Sequence, residues 1–448
     1  MHSQQSVIAA IATPPGRGGV GVIRVSGDAV PSIAAALVDK DLRPRKAHLV
    51  TFQGAGGDPI DQGLAIYFPA PHSFTGEDVL ELHAHGSPVV LDMLLRRVLE
   101  LGARTARPGE FSERAFLNEK IDLAQAEAIA DLIECTTESA ARSARRSLQG
   151  EFSRQINELV ESLIQLRLYI EASIDFVDED IELLTAGHID TRLADLLQRL
   201  DVIRASARQG QLLRDGMTLV ITGRPNAGKS SLLNRLTGRD SAIVTPIAGT
   251  TRDTLKEFIQ IDGLPLHVID TAGLREHSED VVEQEGMRRA RAEIAQADHV
   301  LLLIDDTDPG DNNSLLADIP SHLPVTHIHN KIDLSGHSVG QHMTEKGAVI
   351  YLSLKTGEGT ELLVQHLKAC VGYAEEAEGV FMARRRHLEA IDQAMSAVQK
   401  ALENLNDGVL ELLAEELRLA QNALSEITGE FTSDDLLGRI FADFCIGK

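Results

Sequence analysis

The hydrophobic pattern divides the chain into segments of different periodicity. Residues 1–118 contain three short runs of β-like character, GVGVIRV, LAIYFPA and DVLELHAH, and one helical run, VVLDMLLRRVLELG. Residues 109–224 contain no proline, and apolar positions recur at helical spacing through DLAQAEAIADLIECTTESAARSARRSL and INELVESLIQLRLYIEASIDF. The pattern predicts an α+β domain that is followed by long helices.

The periodicity changes again near residue 216. Runs of strand character, namely MTLVITG, FIQID, LPLHVIDTAG, HVLLLIDDT, PVTHIHNKID and AVIYLSLKTG, alternate with helical stretches, as in a doubly wound parallel sheet. After residue 372 the helical spacing returns, as in ELLAEELRLAQNALSEITGE. We predict a multidomain α/β and α protein with an N-terminal α+β domain at 1–118, a discontinuous helical domain at 119–215 and 373–448, and an inserted, mainly parallel α/β domain at 216–372.

Composition and charge narrow the function classes. The 448 residues carry 43 Lys and Arg against 67 Asp and Glu, a formal charge of −24, so the average field repels phosphate backbones and acidic membranes. The cysteines, Cys135, Cys370 and Cys445, stand far apart, which fits neither a disulfide framework nor a Cys/His metal site and indicates a reducing cytoplasm. No apolar run reaches the ~20 residues that a bilayer-spanning helix needs. We expect no membrane association and no tight nonspecific nucleic-acid binding, although a local basic patch or a basic partner could bring RNA to the protein.

One glycine-rich stretch has the spacing of a phosphate-binding loop. VITGRPNAGKSS reads as a strand, then Gly223-x-x-x-x-Gly228-Lys229-Ser230, then the start of a helix. Its glycines let backbone N–H groups close around phosphates, and the helix N-terminus adds its dipole. Lys229 can reach the terminal phosphates, and the Ser230 hydroxyl can bind Mg²⁺. Alone, this motif indicates only a nucleoside triphosphate.

Three further motifs lie where predicted strands end, and they select the base. DTAG ends a buried strand, where Asp270 can hold the metal through water and Gly273 N–H can sense the terminal phosphate. In NKID, Asp333 can accept hydrogen bonds from N1–H and the 2-amino group of guanine, two donors that adenine lacks. Asn330 can tie this loop to the phosphate loop, the Lys331 stem can lie along the base, and SLK can offer backbone N–H to the guanine O6. The motifs therefore predict a GTP site.

The segment TPIAGTTRD, residues 245–253, lies between the first helix and the second strand of this domain, where the loop that senses the terminal phosphate belongs. We predict Thr251 as the second Mg²⁺ ligand, with Thr250 as the alternative. The predicted GTP-binding residues are Asn226, Ala227, Gly228, Lys229, Ser230, Ser231, Thr245, Pro246, Ile247, Ala248, Gly249, Thr250, Thr251, Asp270, Thr271, Ala272, Gly273, Asn330, Lys331, Asp333, Ser353, Leu354 and Lys355.

The residue after DTAG departs from a common pattern. Many GTPases place a Gln there to orient the attacking water, but this chain has Leu274, which cannot hydrogen-bond water. Glu283 is the predicted replacement, with Glu285 and Glu279 as alternatives; the competing interpretation is a solvated helix face. Lys229 and Glu283 are thus the predicted catalytic residues for hydrolysis.

Specific motifs also lie outside the inserted domain. They are the N-terminal TPPGRGGVGVIRVSG, the stretch RPGEFSERAFLNEKIDLAQAEAIADLI and the terminal FTSDDLLGRIFADFCIGK. Together with GRPNAGKSSLLN, AGTTRD and DTAGL, they resemble the MnmE (TrmE) family of tRNA modification GTPases over nearly the whole chain. The resemblance makes the inserted domain a P-loop G domain.

The resemblance implies a fold and a function. The N-terminal domain would be similar to the folate-binding domain of the glycine cleavage T-protein, and members of the family form homodimers through it. They work with an MnmG-like flavoprotein, in a heterotetramer, to add aminomethyl or carboxymethylaminomethyl groups to C5 of the wobble uridine of certain tRNAs. The implied cofactors are GTP, Mg²⁺, K⁺ and 5-formyltetrahydrofolate or a related tetrahydrofolate.

Further site residues follow from the same resemblance. GTP hydrolysis would require K⁺-dependent dimerisation of G domains, with the ion in a place comparable to that of an arginine finger. The implied K⁺ ligands are Asn226, Thr245, Ile247 and Thr250. The implied folate contacts are Arg24, Glu81, Lys120 and Lys448. SLK departs from the usual Ser-Ala-Lys of the family, at a position where the backbone acts.

The terminal FCIGK contains a cysteine with several interpretations. CIGK has the spacing of a prenylation signal, but Gly447 and Lys448 are poor occupants of its last two places. The resemblance brings the tail near the folate pocket and makes Cys445 a predicted participant in the modification chemistry. The alternative is a packed thiol beside Phe444, since free cysteine often behaves as a small buried hydrophobe.

A rival hypothesis is a GTPase switch in ribosome assembly or regulation that performs no modification chemistry. Such a protein normally carries a basic RNA-binding module, but residues 373–448 hold 7 Lys and Arg against 15 Asp and Glu. Two smaller features stay open. His83 and His85 share a strand face, and they either bind a metal or take part in ordinary strand packing. The segment ARRRH at 383–387 either contacts RNA or lies along a helix surface.

Overall fold

The computed structural model describes residues 6–175, 188–238, 256–270, 294–295, 297–310, 315, 319–345, 347–373, 379–430, 434–442, 444–445 and 447. Packing divides the chain into two compact units. The first comprises Met1–Ala130, Ser147–Leu193 and Ser396–Lys448, and the second comprises Asp131–Arg146 and Ala194–Met395. The three-domain boundaries proposed above stay a prediction.

The described strands are β1 Ile8–Ile11, β2 Gly18–Ser26, β3 His48–Gln53, β4 Pro59–Phe68, β5 Val79–Gly86, β6 Arg104–Thr105, β7 Met217–Gly223, β8 Lys256–Ile261, β9 Leu264–Asp270, β10 His299–Asp305, β11 Val325–Asn330, β12 Gly340–Thr344 and β13 Gly347–Tyr351. The described helices are α1 Val30–Leu37, α2 Pro88–Glu100, α3 Glu110–Leu117, α4 Leu123–Glu134, α5 Glu138–Leu148, α6 Glu151–Asp175, α7 Ile189–Asp215, α8 Lys229–Thr237, α9 Ile332–Ser335, α10 Thr360–Val371, α11 Arg385–Asn406, α12 Leu410–Thr428 and α13 Asp434–Ala442.

The N-terminal region forms a six-stranded sheet in the order β3-β4-β5-β2-β1-β6, which confirms its α+β character. Helices α1 and α2 add Ile33 and Leu94 to the core that Phe52 and Leu82 form on the sheet. The central pair, β2 and β5, is antiparallel, and its register sets Arg24 opposite Glu81. Side chains on neighbouring antiparallel strands at such a position lie close enough to interact.

A seven-stranded sheet in the order β12-β13-β11-β10-β7-β9-β8 lies in the second unit, which confirms the doubly wound, mainly parallel sheet. Its five inner strands are parallel, and only the edge strands β8 and β12 pair antiparallel. The apolar run of β10 is buried on both faces from His299 to Ile304, as parallel strands between helix layers require. The carboxyl ends of β7, β9, β10, β11 and β13 consequently meet at one edge.

The helical stretches follow their predicted positions, with one division. The run predicted as continuous over residues 122–148 splits into α4 and α5, because the Thr137 hydroxyl accepts a hydrogen bond from Ala140 N at 3.1 Å and caps α5. In the first unit, α6 packs along α12, where Arg167 donates to Gln421 at 2.7 Å. In the described part of the chain, no helix is both long and apolar enough to cross a membrane.

Candidate functional site

The phosphate-binding loop joins β7 to α8 at the carboxyl edge of the second sheet. Gly228 has φ +113°, and a Cβ there would lie 2.4 Å from Asn330 Nδ2, so only glycine fits. Asn226 also has a left-handed backbone, with φ +62°, and its side chain is exposed. This loop geometry turns consecutive backbone N–H groups toward one point at the helix N-terminus, which suits an anion.

The lysine and serine of the motif lie at the first turn of α8. The Lys229 ammonium donates to Gly223 O at 2.9 Å and to Arg224 O at 3.2 Å. These contacts fold the Lys229 side chain over the loop. A terminal phosphate of a bound nucleotide can replace the two carbonyl oxygens as the acceptor of the ammonium. Ser230 is exposed, so its hydroxyl is accessible to a hydrated cation.

Asn330 joins three loops at this edge. Its side chain is 4% exposed; Nδ2 donates to Ala227 O at 2.9 Å, and Oδ1 accepts from Leu354 N at 3.0 Å. The tie between NKID and the phosphate loop that the sequence suggested is therefore present, and it extends to SLK. The amide fixes the spacing between the groups that would hold phosphate and base.

The acidic residue of NKID is positioned by its neighbours. Asp333 is exposed, and its Oδ1 accepts a hydrogen bond of 2.7 Å from Ser353 Oγ, while the Ser353 side chain is fully buried. A carboxylate anchored through one oxygen keeps its remaining acceptor sites for the paired donors of a guanine edge. Lys355 is exposed beside it.

Lys331 is held by a carboxylate that the sequence reasoning did not single out. Its ammonium pairs with Asp305 at the end of β10, and its φ is +72°. The hydrogen bond from Lys331, followed by that from the Thr307 hydroxyl, lowers the pKa of Asp305. The Asp305 carboxylate is thus charged at neutral pH, and its contact with the ammonium holds the lysine stem along the edge where a base would lie.

The structure brings residues 226–231, 330–333 and 353–355 together at one edge of the sheet. Asp270 ends β9 there, next to Ile221 of β7, and is described by its backbone alone. Residues 245–251, 271–273 and Glu283 lie outside the described residues, as do the alternatives Glu279 and Glu285. Those predicted GTP-binding residues that the structure describes thus lie along one edge of the sheet.

A second group of charged residues lies on the N-terminal sheet. Arg24 donates to Glu81 Oε1 through Nε at 3.0 Å and Nη2 at 2.9 Å, and its Nη1 lies 3.4 Å from Gly447 O of the C-terminal tail. The guanidinium carbon is 5.6 Å from the Phe74 ring centroid and 5.8 Å from that of Phe111. A carboxylate, a guanidinium and two aromatic rings thus lie together beside the C-terminal tail.

The other predicted members of this group differ in placement. Lys120 is exposed and its stem approaches Gly76, where a glycine Cβ would meet it at 3.3 Å. Lys448 lies outside the described residues. Cys445 is exposed, whereas Phe444 is buried, with only 5% of its surface exposed. The structure therefore contradicts the interpretation of Cys445 as a packed thiol.

Two histidines that share the β5 face have separate carboxylate partners. His85 Nδ1 lies 2.8 Å from Asp61 Oδ1, and His83 Nε2 lies 3.5 Å from Glu81 Oε2. The His85 contact is an ordinary side-chain hydrogen bond, whereas the buried His83 Nε2 makes no hydrogen bond within the described residues. The metal interpretation of His83 and His85 gains no support among the described residues.

The sequence reasoning missed one cluster. His299, His366 and Cys370 place three ligand-type atoms within 4.8 Å of one another. The prediction that the cysteines fit no Cys/His metal site is contradicted at Cys370, because His366 Nε2 lies 3.4 Å from its Sγ. The signal was the His-x-x-x-Cys spacing, which puts both side chains on one face of α10.

Comparisons with known proteins agree with the motifs. The family description "GTP-binding protein TrmE N-terminus" matches residues 7–120, and "MnmE helical domain" matches residues 123–445. The chain is 59% identical over 451 residues to the tRNA modification GTPase MnmE of Hydrogenovibrio crunogenus (strain DSM 25203 / XCL-2), covering 100% of this chain and 99% of that relative.

Solved structures with local likeness are more distant. The G domain of the T. maritima FeoB iron transporter is 25% identical over 35% of this chain and 96% of its own, with a TM-score of 0.24. Elongation factor SelB from Methanococcus maripaludis is 16% identical over 36% of this chain and 34% of its own, with a TM-score of 0.22. TM-scores this low support no conclusion, whereas the full-length identity does. The chain is an enzyme and belongs to the MnmE family of tRNA modification GTPases.

Proposed function

We propose that the chain hydrolyses GTP to drive the addition of aminomethyl or carboxymethylaminomethyl groups to C5 of the wobble uridine of certain tRNAs, together with an MnmG-like flavoprotein. The observation that carries this proposal is the full-length match to a tRNA modification GTPase in a chain that holds both a phosphate-loop edge and the Arg24 site. GTP hydrolysis at the nucleotide site would drive a conformational change, and the Arg24 site would hold the one-carbon donor.

At the nucleotide site, the chain's own groups bind and orient GTP. The backbone N–H groups of the phosphate loop and Lys229 offset phosphate charge, while Asp333 and the SLK backbone read the guanine. Ser230 and Thr251 would hold Mg²⁺, which supplies charge neutralisation between the phosphates. Glu283 would orient the attacking water, since Leu274 cannot.

A monovalent cation fits the exposed side chain of Asn226, whose amide oxygen is a suitable ligand. This side chain stands on the left-handed turn of the phosphate loop and is exposed at its rim. Thr245, Ile247 and Thr250 would complete the K⁺ ligand set, and G-domain dimerisation would follow from it. The cation supplies positive charge near the phosphates, comparable to an arginine finger.

Exchanging KCl for NaCl at constant ionic strength is expected to lower the rate of GTP hydrolysis by at least about tenfold, because an arginine finger contributes about 10³–10⁵ to kcat. Steady-state phosphate release from the purified chain measures this. GTP affinity, measured in both salts, serves as the control and should change little. Equal rates in the two salts would refute the potassium assignment.

The Arg24 site fits a folate. A pterin ring offers an amide and amino group that a carboxylate such as Glu81 can bind, and its flat ring suits Phe74 and Phe111. Lys120 and Lys448 would pair with the carboxylates of the glutamate tail. The tetrahydrofolate, 5-formyltetrahydrofolate or a related form, supplies the one-carbon unit.

Cys445→Ser tests whether the exposed thiol takes part in the modification. We expect loss of wobble-uridine modification in tRNA from cells that carry this variant, because a serine hydroxyl is a far weaker nucleophile than a thiolate. Nucleoside mass spectrometry measures the modification, and Cys135→Ser is the matched control. Full modification by Cys445→Ser would exclude a chemical role for this thiol.

The N-terminal sheet offers a surface for the proposed homodimer. Leu49 and Leu64 face each other across β3 and β4, and they are 57% and 39% exposed. Apolar side chains paired on an exposed sheet face favour association with a second apolar surface. The flavoprotein would join this dimer in a heterotetramer, in the cytoplasm.

The proposed function is tested by reconstitution with the flavoprotein, tRNA, tetrahydrofolate donor and KCl. We expect modified wobble uridine with GTP and none with GDP, because hydrolysis is the driving step. The same yield with GDP would contradict the proposal. A complete mixture without this chain is the control.

A further inference from the structure

A cluster of three side chains lies at the edge of the second sheet opposite to the nucleotide site. His299 begins β10, and the nucleotide-edge residue Asp305 ends it, so the two lie about 20 Å apart along the strand. His366 and Cys370 stand one turn apart on α10, the helix that follows SLK. The cluster therefore belongs to neither of the two sites described above.

The histidines share one hydroxyl. His299 Nε2 and His366 Nε2 each lie 2.7 Å from Thr326 Oγ1, and Cys370 Sγ lies 3.4 Å from His366 Nε2. His299 is 4% exposed, His366 is half-buried and Cys370 is exposed. Two imidazole nitrogens and a sulfur thus converge on one side of a buried strand end.

We propose that His299, His366 and Cys370 bind one Zn²⁺ ion through His299 Nε2, His366 Nε2 and Cys370 Sγ. Imidazole nitrogen and cysteine thiolate are both donor types that Zn²⁺ accepts in proteins. Binding transfers the Cys370 thiol proton to solvent as the Zn–S bond forms. No electron transfer accompanies the step, because Zn²⁺ has no redox chemistry in proteins.

The distances are compatible with that coordination. Zn–N bonds of about 2.0–2.1 Å and a Zn–S bond of about 2.3 Å separate tetrahedral ligand atoms by about 3.3–3.7 Å. The ligand atoms of the three side chains already lie within 4.8 Å of one another, and side-chain rotations would bring them to these separations. The shared Thr326 hydroxyl is displaced to the second layer when the imidazoles turn to the ion.

Neighbouring groups support the ligand set. Gln341 Nε2 lies 3.1 Å from His366 Nδ1, and a half-turn of this amide lets its carbonyl oxygen accept the Nδ1–H of a bound imidazole. The rings of His299 and His366 lie edge to face, with their centroids 5.8 Å apart.

The fourth position opens to solvent. A cavity of about 520 Å³ is lined by His299 and Cys370, with Asp298 and Thr218 nearby. It gives the ion a path of entry and leaves space for a water ligand. The site would then link the start of β10 to α10 as a cross-link that stabilises this unit without touching the nucleotide.

Metal binding to the full-length chain tests the proposal. The purified protein is stripped with a chelator and titrated with ZnCl₂ against a chromophoric competitor, and with CoCl₂, whose thiolate complex has a charge-transfer absorption. We expect one ion per chain with thiolate absorption in wild type and in Cys135→Ser, the matched control. Cys370→Ser and His366→Gln should lose the absorption and weaken Zn²⁺ binding by at least about 100-fold. Changes to residues that only contact metal ligands already cost up to about 100-fold, and the loss of a ligand should cost more.

Cys370 is exposed, so its serine variant is expected to fold, and thermal unfolding without metal should match wild type. With ZnCl₂, only the wild type and Cys135→Ser should gain thermal stability. The proposal is overturned if wild type takes up no stoichiometric Zn²⁺, or if Cys370→Ser binds it as wild type does. Either result leaves the cluster as a hydrogen-bonded network around Thr326.

Discussion

Asp333→Asn is expected to lower the affinity for GTP by at least about 100-fold and to create binding of xanthosine triphosphate. The carboxylate can accept both guanine donors, whereas an asparagine sets its own NH₂ against the guanine amino group and leaves a donor unpaired. Xanthine carries a carbonyl oxygen at that position, which the asparagine NH₂ can satisfy. Equilibrium titration with fluorescent GTP and XTP analogues measures both changes.

The exchange preserves the local structure. Ser353 Oγ donates to Asp333 Oδ1 at 2.7 Å, and an asparagine carbonyl oxygen can accept the same hydrogen bond. Glu358→Gln, which neutralises an exposed carboxylate in the neighbouring loop, is the matched control and should bind GTP as wild type does. Unchanged GTP affinity in Asp333→Asn would show that another group reads the base.

Glu283→Ala is expected to bind GTP with near wild-type affinity and to hydrolyse it about 10²–10⁴-fold more slowly. The alanine removes the group predicted to orient the attacking water, which acts in the transition state and not in ground-state binding. Single-turnover phosphate release with saturating enzyme measures the rate, and nucleotide titration measures the affinity.

Alanine variants of the two alternatives provide the comparison. Glu279→Ala and Glu285→Ala should retain turnover if the register is right. Turnover that survives in Glu283→Ala but disappears in Glu285→Ala would assign the orientation of the attacking water to Glu285. A parallel loss of GTP affinity in Glu283→Ala would assign this residue to binding instead.

The parallel sheet could be predicted because its inner strands are buried on both faces. Such strands give continuous apolar runs, and HVLLLI at β10 is an example. The edge strand β12 was missed since its five residues, GQHMT, are nearly all exposed and show no apolar alternation. The division between α4 and α5 depended on one threonine cap, which hydrophobic spacing does not reveal.

The nucleotide edge could be predicted in outline because its motifs end strands that topology brings to one side. The contacts that set its spacing could not, since they join residues far apart in the chain. Asn330 meets Ala227 across 103 residues, and Ser353 meets Asp333 across 20. The His299 cluster shows the same limit, because only the spacing of His366 and Cys370 is visible in the sequence.

We propose that this GTPase drives modification of wobble uridine in tRNA. The test is mass spectrometry of nucleosides from the tRNA of cells that lack the chain, with cells complemented by the wild-type chain or by Asp333→Asn measured alongside. We predict that the C5 aminomethyl and carboxymethylaminomethyl uridines disappear without the chain, return with wild type and stay absent with Asp333→Asn. Unchanged wobble nucleosides in cells that lack the chain would show that this GTPase does not act in the modification.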